Sequence, residues 1–238
     1  MINLIAHRGY SAIAPENTLA SFQSALEQPI IGVEFDVHLS ADGVPVVIHD
    51  TTVDRTTNGQ GKVAEKTVPE LQTLDAGSWF DSRFSQEKIP TLAEILEFFA
   101  FSQVHLYIEL KYPQTWSHEG AKKVIKQLEK WRERCTILSF DHHFIQQYRN
   151  QYPQCAIGYG IADTSQYNQD YINTLDLNNA IILPHFSLIF QLPDLTSTLI
   201  QNHLEIIPWT VDETTIADKL ADLNINKIIS NTLLPKSS

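Results

Sequence analysis

Short apolar runs of strand length alternate with longer amphipathic stretches along nearly the whole chain. The short runs have the pattern of buried strands, and the longer stretches repeat apolar residues at the spacing of one helix face. Strands that alternate with helices predict parallel βαβ units. The predicted strands span 3–6, 32–38, 105–111, 136–140, 155–161, 180–184, 205–211 and 226–230, and the predicted helices span 15–26, 91–99, 119–132, 142–150, 165–177, 194–202 and 213–223.

A predicted β-hairpin interrupts this alternation after the second strand. Asp42-Gly43 is a turn signal, because this dipeptide tolerates the positive φ of a tight reversal, and an extended run, VPVVIH, follows it. We expect this run to fold back with Leu39 paired to Val44. That pairing would place His49 opposite Glu34.

An insertion is predicted between this hairpin and the next helix, over about residues 50–90. Its first part, Asp50–Gly61, is polar and turn-rich without periodicity, and long ordered loops are usually functional. Thr91 and Glu94 have the spacing of a capping box, which predicts that a helix begins at this point.

The number of predicted strands, with the hairpin set apart, favours a closed barrel. A chain of 238 residues is also close to the length of a single (β/α)8 barrel, roughly 250 residues. The alternative is a doubly wound open sheet, but no G-x-G-x-x-G or Walker sequence follows any predicted strand. We predict one domain, residues 1–238, that folds as a single (β/α)8 TIM barrel of the α/β class, with a β-hairpin and loop insertion after strand 2.

Composition and charge narrow the class of partner. The formal charge of −11 would repel phosphate backbones, which argues against nucleic acid and anionic membranes but allows a local phosphate pocket. The N-terminus lacks the pattern of a signal peptide, and no apolar run approaches the roughly 20 residues of a membrane span. Cys135 and Cys155 lie in apolar runs without metal-ligand spacing. We expect a cytoplasmic protein without stable membrane insertion.

Residues suited to catalysis fall at the C-terminal ends of the predicted strands, where (β/α)8 barrels carry their active sites. Each would be weak support alone, and their convergence is what carries weight. They are His7 and Arg8 after the first strand, Glu34 and Asp36 on the second, Glu109 and Lys111 on the third, Trp209 late on the seventh, and His49 on the hairpin.

The three carboxylates predict a metal site. Glu34, Asp36 and Glu109 would supply hard oxygen ligands from neighbouring strands, which suits Mg²⁺ or Ca²⁺ better than zinc. The alternative for Glu109 is a salt bridge with Lys111 on the same strand face. Lys111 and Arg8 are two cations beside this site, an arrangement that neutralises a phosphoryl group in its transition state.

His7 and His49 are the candidate acid–base pair, because imidazole transfers protons near neutral pH. The alternative for His7 is a hydrogen-bonded core histidine. Trp209 either lines the floor of the pocket or packs within the barrel. The other histidines lack a comparable setting and are interpreted as surface or structural residues: His38, His105, His118, His142, His143, His185 and His203.

The chain resembles the glycerophosphodiester phosphodiesterase family in a series of motifs that are dense up to residue 111 and sparser afterwards. They are HRG at 7–9, APENT at 14–18, EFDV at 34–37, DGVPVVIHD at 42–50, DRTTNGQG at 54–61, AGSWF at 76–80, IPTLAEIL at 89–96, IELK at 108–111, SFD at 139–141 and PWTVD at 208–212.

The resemblance implies a metal-dependent barrel that cleaves small-molecule glycerophosphodiesters to sn-glycerol 3-phosphate and an alcohol. Carried over to this chain, it implies an acid–base pair of His7 and His49, metal ligands Glu34, Asp36 and Glu109, phosphate contacts Arg8 and Lys111, and an apolar wall at Trp209. Two positions depart from the family pattern, which usually has Asp where this chain has Asn231 and often has Asn where it has Asp212. Both concern substrate contacts at the predicted rim.

Two other functions remain as alternatives. A related barrel that acts on intact lipids, such as a sphingomyelinase D-like or phosphatidylinositol phospholipase C-like enzyme, needs a hydrophobic rim facing the membrane and usually a secretion signal. A non-catalytic barrel that only binds phosphodiesters would be favoured by the loss of a histidine or metal carboxylate. All five of these residues are present.

Overall fold

Eight parallel strands close into a barrel in the computed structural model, which describes residues 2–233. The predicted (β/α)8 fold is confirmed; Met1 and 234–238 of the predicted domain lie outside the described residues. The strands are β1 (Asn3–His7), β2 (Ile30–Leu39), β3 (Pro45–Val47), β4 (His105–Leu110), β5 (Cys135–Ser139), β6 (Ala156–Ile161), β7 (Ala180–Pro184), β8 (Glu205–Ile206) and β9 (Lys227–Ser230). Hydrogen bonding orders them β8-β7-β6-β5-β4-β2-β1-β9, and β3 pairs with β2 beside this path.

Helices cover the outside of the barrel and, outside the insertion, follow the predicted order with three differences. Among the described residues, none of them has the length and apolar character that crossing a membrane requires. The side chain of His118 lies outside what the structure describes. The helices are α1 (Leu19–Leu26), α2 (Val68–Thr73), α3 (Leu92–Phe98), α4 (His118–Leu128), α5 (His142–Gln151), α6 (Gln169–Ile172), α7 (Phe186–Gln191), α8 (Pro193–Gln201) and α9 (Thr214–Asp222).

The three differences have local causes. Helix α1 begins at Leu19, because Thr18 caps it by accepting a hydrogen bond from the Ser21 N–H, so the predicted opening at residues 15–17 is a loop. Helix α6 covers only a small part of the predicted 165–177, where the apolar pattern was weak. Helix α7 was not predicted, because its short apolar sequence has no polar face to set a helical period.

The barrel closes through an irregular segment between β8 and β9. The strand predicted at 205–211 is regular only at its first two residues, and Pro208, which lacks an N–H, interrupts the ladder. Two backbone hydrogen bonds close the gap: the Val211 N–H donates to the Ile229 carbonyl (2.9 Å), and the Ile229 N–H donates to the Pro208 carbonyl (3.0 Å).

Alternation along the strands sends side chains into two separate cores. Val33, Phe35 and Val37 of β2 face outward and pack against helix residues such as Phe22. The interior of the barrel is filled by a second apolar cluster. The inward positions beyond this cluster, toward the C-terminal ends of the strands, carry polar groups. The interior cluster is Ile5, Tyr107, Leu138, Ile181, Leu183, Ile207 and Ile229.

The hairpin forms, but its predicted register is wrong by one residue. Leu39 pairs with Pro45 rather than with Val44. Ser40 remains part of the hairpin, because its N–H donates to the Val44 carbonyl and its hydroxyl oxygen accepts from the Val44 N–H, both at 3.0 Å. The reversal is therefore completed by three residues that end at Gly43, whose φ of +67° suits glycine.

This shift changes how His49 reaches the barrel mouth. Strand β3 ends at Val47, so no ladder pair places His49 opposite Glu34. Instead, the Ile48 N–H donates to the Asp36 carbonyl (3.1 Å), and the ring of His38 hydrogen-bonds the His49 carbonyl (3.0 Å). These contacts return the chain to β2 and direct it toward the mouth.

The insertion contains more regular structure than predicted. Helix α2 begins with a capping box of Thr67 and Glu70, and 3₁₀ turns form at Val63–Glu65 and Ser82–Phe84. Its apolar residues join the hairpin in a small separate core, which gives the segment a fixed shape. That core consists of Val46, Ile48, Val53, Val63, Leu71, Ala76 and Ile89.

Phe99 tests the outer core. Its fully buried ring packs edge-on against Phe22 and Phe98, with ring centroids 5.5 Å and 5.1 Å away. We expect Phe99→Ala to lower the free energy of unfolding by about 3–5 kcal/mol, because the surrounding side chains cannot fill the cavity. Urea unfolding measures this. The control is Phe101→Ala, whose side chain is 98% exposed and should change stability by less than about 0.5 kcal/mol. Equal losses in the two variants would contradict the assignment.

Candidate active site

The eight site residues predicted from the sequence lie together at the C-terminal mouth of the barrel. Asp36 is buried beside the pocket and contacts both Arg8 and Lys111. The other seven line one pocket of about 190 Å³. They are His7, Arg8, Glu34, His49, Glu109, Lys111 and Trp209.

Three carboxylates lie side by side on neighbouring strands. Glu34 and Asp36 point to the interior because they alternate with the outward Phe35, and Asp36 is in register with Glu109 of β4. One oxygen from each carboxylate lies within 4.8 Å of the others. Burial of three acids so close together is costly unless cations compensate for it.

The pKa values of the three carboxyl groups shift in different directions. Burial raises the pKa of Glu34 well above its usual value, and the charges of Asp36 and Glu109 add to this. Burial, with the charge of Asp36, likewise raises the pKa of Glu109 to about 7. Burial would also raise the pKa of Asp36, but Lys111 and Arg8 hold it well below its usual value. Asp36 is thus the carboxylate that the protein's own cations keep charged.

Two cations hold this cluster from either side. Lys111 Nζ lies 2.6 Å from Glu109 and 3.2 Å from Asp36, so the predicted alternative of a Glu109–Lys111 salt bridge is also present. Arg8 Nε lies 3.2 Å from the second Asp36 oxygen, which also accepts a hydrogen bond from the Asn17 amide (2.9 Å). Arg8 has a left-handed backbone, φ +56°, which its N–H bond to the Glu34 carbonyl stabilises (2.8 Å).

The two candidate histidines line the pocket from different segments: His7 ends β1, and His49 follows β3. His7 Nδ1 lies 2.7 Å from the Asn231 amide oxygen, and its Nε2 lies 3.8 Å from a Glu34 oxygen. Burial, with the charge of Arg8, lowers the pKa of His7 to about 4. His49 Nδ1 lies 2.7 Å from Asp50, and burial, with Lys111 and Arg8, lowers the pKa of His49 also.

An apolar wall of Phe140 and Trp209 completes the pocket. The ring of Phe140 meets Trp209 edge-on at 5.4 Å between centroids, and the Trp209 indole N–H donates to the Leu183 carbonyl (2.7 Å). Trp209 also packs on the interior core, so both predicted interpretations of this residue describe real contacts. Gly160 makes room for the wall, because a Cβ at this position would lie 2.8 Å from the Phe140 ring.

A chain of ion pairs, which the sequence analysis missed, connects the two sides of the site. Asp50 contacts His49, and the Arg55 guanidinium binds both oxygens of Asp50 at 2.8 Å and 2.9 Å. Arg55 also binds both oxygens of Glu16, at 2.7 Å and 2.8 Å. Glu16 in turn accepts a hydrogen bond from Arg8 (2.8 Å). The chain therefore runs from His49 to Arg8.

Three residues of this ion-pair chain were not predicted as site residues, although each lies in one of the motifs given above. Glu16 belongs to APENT, Asp50 follows His49 directly, and Arg55 belongs to DRTTNGQG in the insertion. Hydrogen bonds from Arg55 hold the pKa of Asp50 well below its usual value, so its carboxylate stays charged. Their charge could have indicated them, because two acids and an arginine lie in turn-rich segments that flank the predicted acid–base residues.

The two residues that depart from the family pattern form one unit beside His7. The Asn231 side-chain amide donates to Asp212 Oδ2 and its backbone N–H donates to Asp212 Oδ1, both at 2.7 Å. Asn231 is also the residue that contacts His7. We expected these positions to bear on substrate contacts at the rim, and the structure places them behind a candidate catalytic histidine instead.

The carboxylate cluster fits a divalent cation. Glu34, Asp36 and Glu109 each present one oxygen to a common space, and carboxylate oxygens are the ligands that Mg²⁺ and Ca²⁺ prefer. Burial, with repulsion between the acids, raises the pKa values of Glu34 and Glu109, so the two nearby cations alone do not hold all three acids ionised. A bound divalent cation would supply the balance.

Known proteins share this architecture over nearly the full chain. The model of the glycerophosphoryl diester phosphodiesterase family matches residues 7–233. A glycerophosphodiester phosphodiesterase from Caldanaerobacter subterraneus subsp. tengcongensis is 35% identical over 231 residues, which are 96% of this chain and 93% of that relative.

Solved structures agree with this match. A phosphodiesterase from Oleispira antarctica, determined in complex with the product sn-glycerol-3-phosphate, has a TM-score of 0.85 and 30% identity, and the match covers 97% of this chain and 93% of that one. A glycerophosphodiester phosphodiesterase from Agrobacterium tumefaciens has a TM-score of 0.80 and 31% identity, with 98% of each chain covered. This chain belongs to the glycerophosphoryl diester phosphodiesterase family.

Proposed function

We propose that this chain hydrolyses glycerophosphodiesters to sn-glycerol 3-phosphate and an alcohol. Glu34, Asp36 and Glu109 hold a divalent cation, Mg²⁺ or Ca²⁺, and His7 and His49 transfer protons. The observation that carries the proposal is the convergence of three carboxylates, two cations and two histidines on one pocket. The similar phosphodiesterase from Oleispira antarctica, determined in complex with the product sn-glycerol-3-phosphate, supports the substrate class.

The pocket suits the glycerol phosphate half of such a substrate. Its volume, about 190 Å³, accommodates a small polar fragment, so the alcohol portion extends toward the open mouth. Arg8 and Lys111 supply positive charge for the phosphoryl oxygens, and Trp209 with Phe140 offers apolar surface to the glycerol carbons. When bound, the divalent cation supplies Lewis-acid polarisation of a phosphoryl oxygen.

The residues of the chain divide the remaining work. One histidine accepts a proton from the attacking oxygen while the other protonates the oxygen of the leaving alcohol. Arg8 and Lys111 stabilise charge that develops on the phosphoryl oxygens. The attacking oxygen is water or the substrate's own 2-hydroxyl, and we favour the hydroxyl because it is already positioned beside phosphorus. That route gives a cyclic glycerol phosphate, which water opens after the two histidines exchange roles.

No specific observation favours either alternative function, the phosphodiesterase that acts on intact lipids or the barrel that only binds phosphodiesters. The presence of all five catalytic and metal-binding candidates around one pocket argues against a barrel that only binds phosphodiesters. The proposed single catalytic domain, 1–238, and the cytoplasmic location stay predictions.

Metal removal tests the proposed function. We expect the metal-free protein, prepared with EDTA and checked by elemental analysis, to lose turnover of glycerophosphocholine, because it lacks the cation that would bind and polarise the phosphoryl group. Mg²⁺ or Ca²⁺ should restore it. The measurement couples release of sn-glycerol 3-phosphate to an NAD-linked dehydrogenase. Full activity of the metal-free protein would overturn the ligand assignment, and no activity with any divalent metal would overturn the substrate class.

A substrate without the 2-hydroxyl tests the route of attack. A propanediol phosphodiester with the same leaving alcohol should turn over at least a thousandfold more slowly, a loss of about 4 kcal/mol in transition-state stabilisation. Its competitive inhibition of the normal substrate should persist, because the phosphate contacts are unchanged. Comparable kcat for both substrates would establish direct attack by water.

Arg55→Ala tests the ion-pair chain. Loss of Arg55 removes the partner that orients Asp50 and Glu16, so we expect kcat to fall about 10–100-fold, the usual effect of a supporting residue behind a metal site. The matched control is Arg83→Ala in the same insertion, whose exposed ion pair with Asp81 includes no member of the ion-pair chain. If Arg55→Ala kept the wild-type kcat and melting temperature, the ion-pair chain from His49 to Arg8 would have no catalytic role.

A further inference from the structure

In the hydrogen bonds that link Asp212, Asn231 and His7, each donor and acceptor can be assigned in only one way. Asp212 is held in place by three donors besides the Asn231 side chain: the N–H groups of Asn231 and Thr232, and the Ser230 hydroxyl. A carboxylate that receives such donors accepts hydrogen bonds and does not donate them. The Asn231 side-chain atom 2.7 Å from Asp212 Oδ2 is therefore the NH₂ group, which fixes the orientation of the amide.

This orientation determines which nitrogen of His7 carries the proton. With its NH₂ group directed at Asp212, Asn231 presents its amide oxygen to His7 Nδ1 at 2.7 Å. An amide oxygen only accepts, so Nδ1 must donate. In a neutral imidazole the other nitrogen then has a free lone pair. That nitrogen, Nε2, lies on the side of the carboxylates, 3.8 Å from Glu34.

The partner of His49 differs in charge. His49 Nδ1 contacts the carboxylate of Asp50, which Arg55 binds through both oxygens. A carboxylate partner favours a charged imidazole more than a neutral amide does. The two histidines therefore present the same ring nitrogen to the pocket with different support behind them.

We infer that Asn231 and Asp212 are positioning residues that hold His7 in its Nδ1–H tautomer, which leaves the lone pair of Nε2 free to accept a proton. This inference rests on the proposed function and names two residues that prepare His7 for proton transfer.

In the first step, His7 Nε2 takes the proton of the attacking oxygen as that oxygen forms its bond to phosphorus. The bond from phosphorus to the alcohol oxygen breaks, and His49 gives that oxygen its proton. In the second step water attacks the cyclic phosphate. His49 takes a proton from that water, His7 returns its proton to the 2-oxygen, and both rings regain their starting states. The sum is one diester and one water converted to sn-glycerol 3-phosphate and one alcohol.

The tautomer can be measured without any turnover. In ¹⁵N-histidine-labelled, metal-free protein at a pH where the ring is neutral, we expect His7 Nδ1 to give a protonated-type nitrogen shift and Nε2 an unprotonated-type shift. The His7→Gln variant identifies the His7 signals. Asn231→Leu removes the acceptor and should transfer population to the Nε2–H form. A protonated-type Nε2 in the wild type would overturn the inference and leave the proposed function standing.

Exchange of the Asn231 and Asp212 side chains distinguishes a positioning role from a simple loss of folding. Asn231→Asp places two carboxylates in contact, and Asp212→Asn removes the group that fixes the amide, so each should lower kcat about 10–100-fold with a smaller change in KM. The double variant Asp212→Asn/Asn231→Asp restores one acceptor facing His7 and one donor behind it. It should recover about tenfold or more of the loss. Asp163→Asn, an exposed acid that caps its own loop, is the matched control. Strictly additive losses in the double variant would overturn the role of the pair.

An activated leaving group separates the two roles. Nitrophenolate leaves without being protonated, so in a single-turnover measurement of its release from a glycerol nitrophenyl phosphodiester the loss in His49→Ala should nearly vanish, against about 10² or more in the first-step rate on glycerophosphocholine. The single turnover is needed because His49 also acts in the second step, after nitrophenolate has left. His7→Ala should lose comparable activity on both substrates. The opposite pattern would reverse the assignment. A wild type inactive on both substrates would refute the proposed function, while the nitrogen shifts would still report the tautomer.

Discussion

The close packing of Glu34, Asp36 and Glu109, of which the first two are buried and the third is largely buried, is the constraint on which the rest of the site depends. Three acids removed from water repel one another and lose hydration, so they persist only where fixed positive charge compensates. Lys111 and Arg8 supply part of it by direct contact with Asp36. The strand ends, the loops and the insertion supply the groups that hold those two cations in position.

The alternation of side chains along β2 and β4 allows one barrel to carry both a stable core and this charged cluster. On β2, the outward Phe35 packs under the helices while its two neighbours face the pocket. On β4, the inward Tyr107 belongs to the interior core, and Glu109, two residues further along, belongs to the site. The apolar residues of the interior core therefore lie directly beneath the carboxylates.

The sequence predicted what depends on periodicity and missed what depends on loop geometry. The strands, their order and the residues at their C-terminal ends follow from alternation, which needs no tertiary information. The register of the hairpin does not, because it was decided by one hydroxyl: Ser40 bonds Val44 and keeps its own place in the hairpin. Likewise Glu16 and Arg55 are 39 positions apart, and no local pattern predicts that their side chains meet.

The chain from His49 to Arg8 makes the fold of the insertion part of the active-site geometry. Arg55 can bind Asp50 and Glu16 together only because its backbone is fixed, and the insertion core, with Val53 and Leu71 fully buried, fixes it. The planar guanidinium suits this task, since its fork binds two carboxylates at once where a lysine would offer a single point charge. Apolar packing in a segment that forms no part of the barrel is therefore coupled to the orientation of His49 at the mouth.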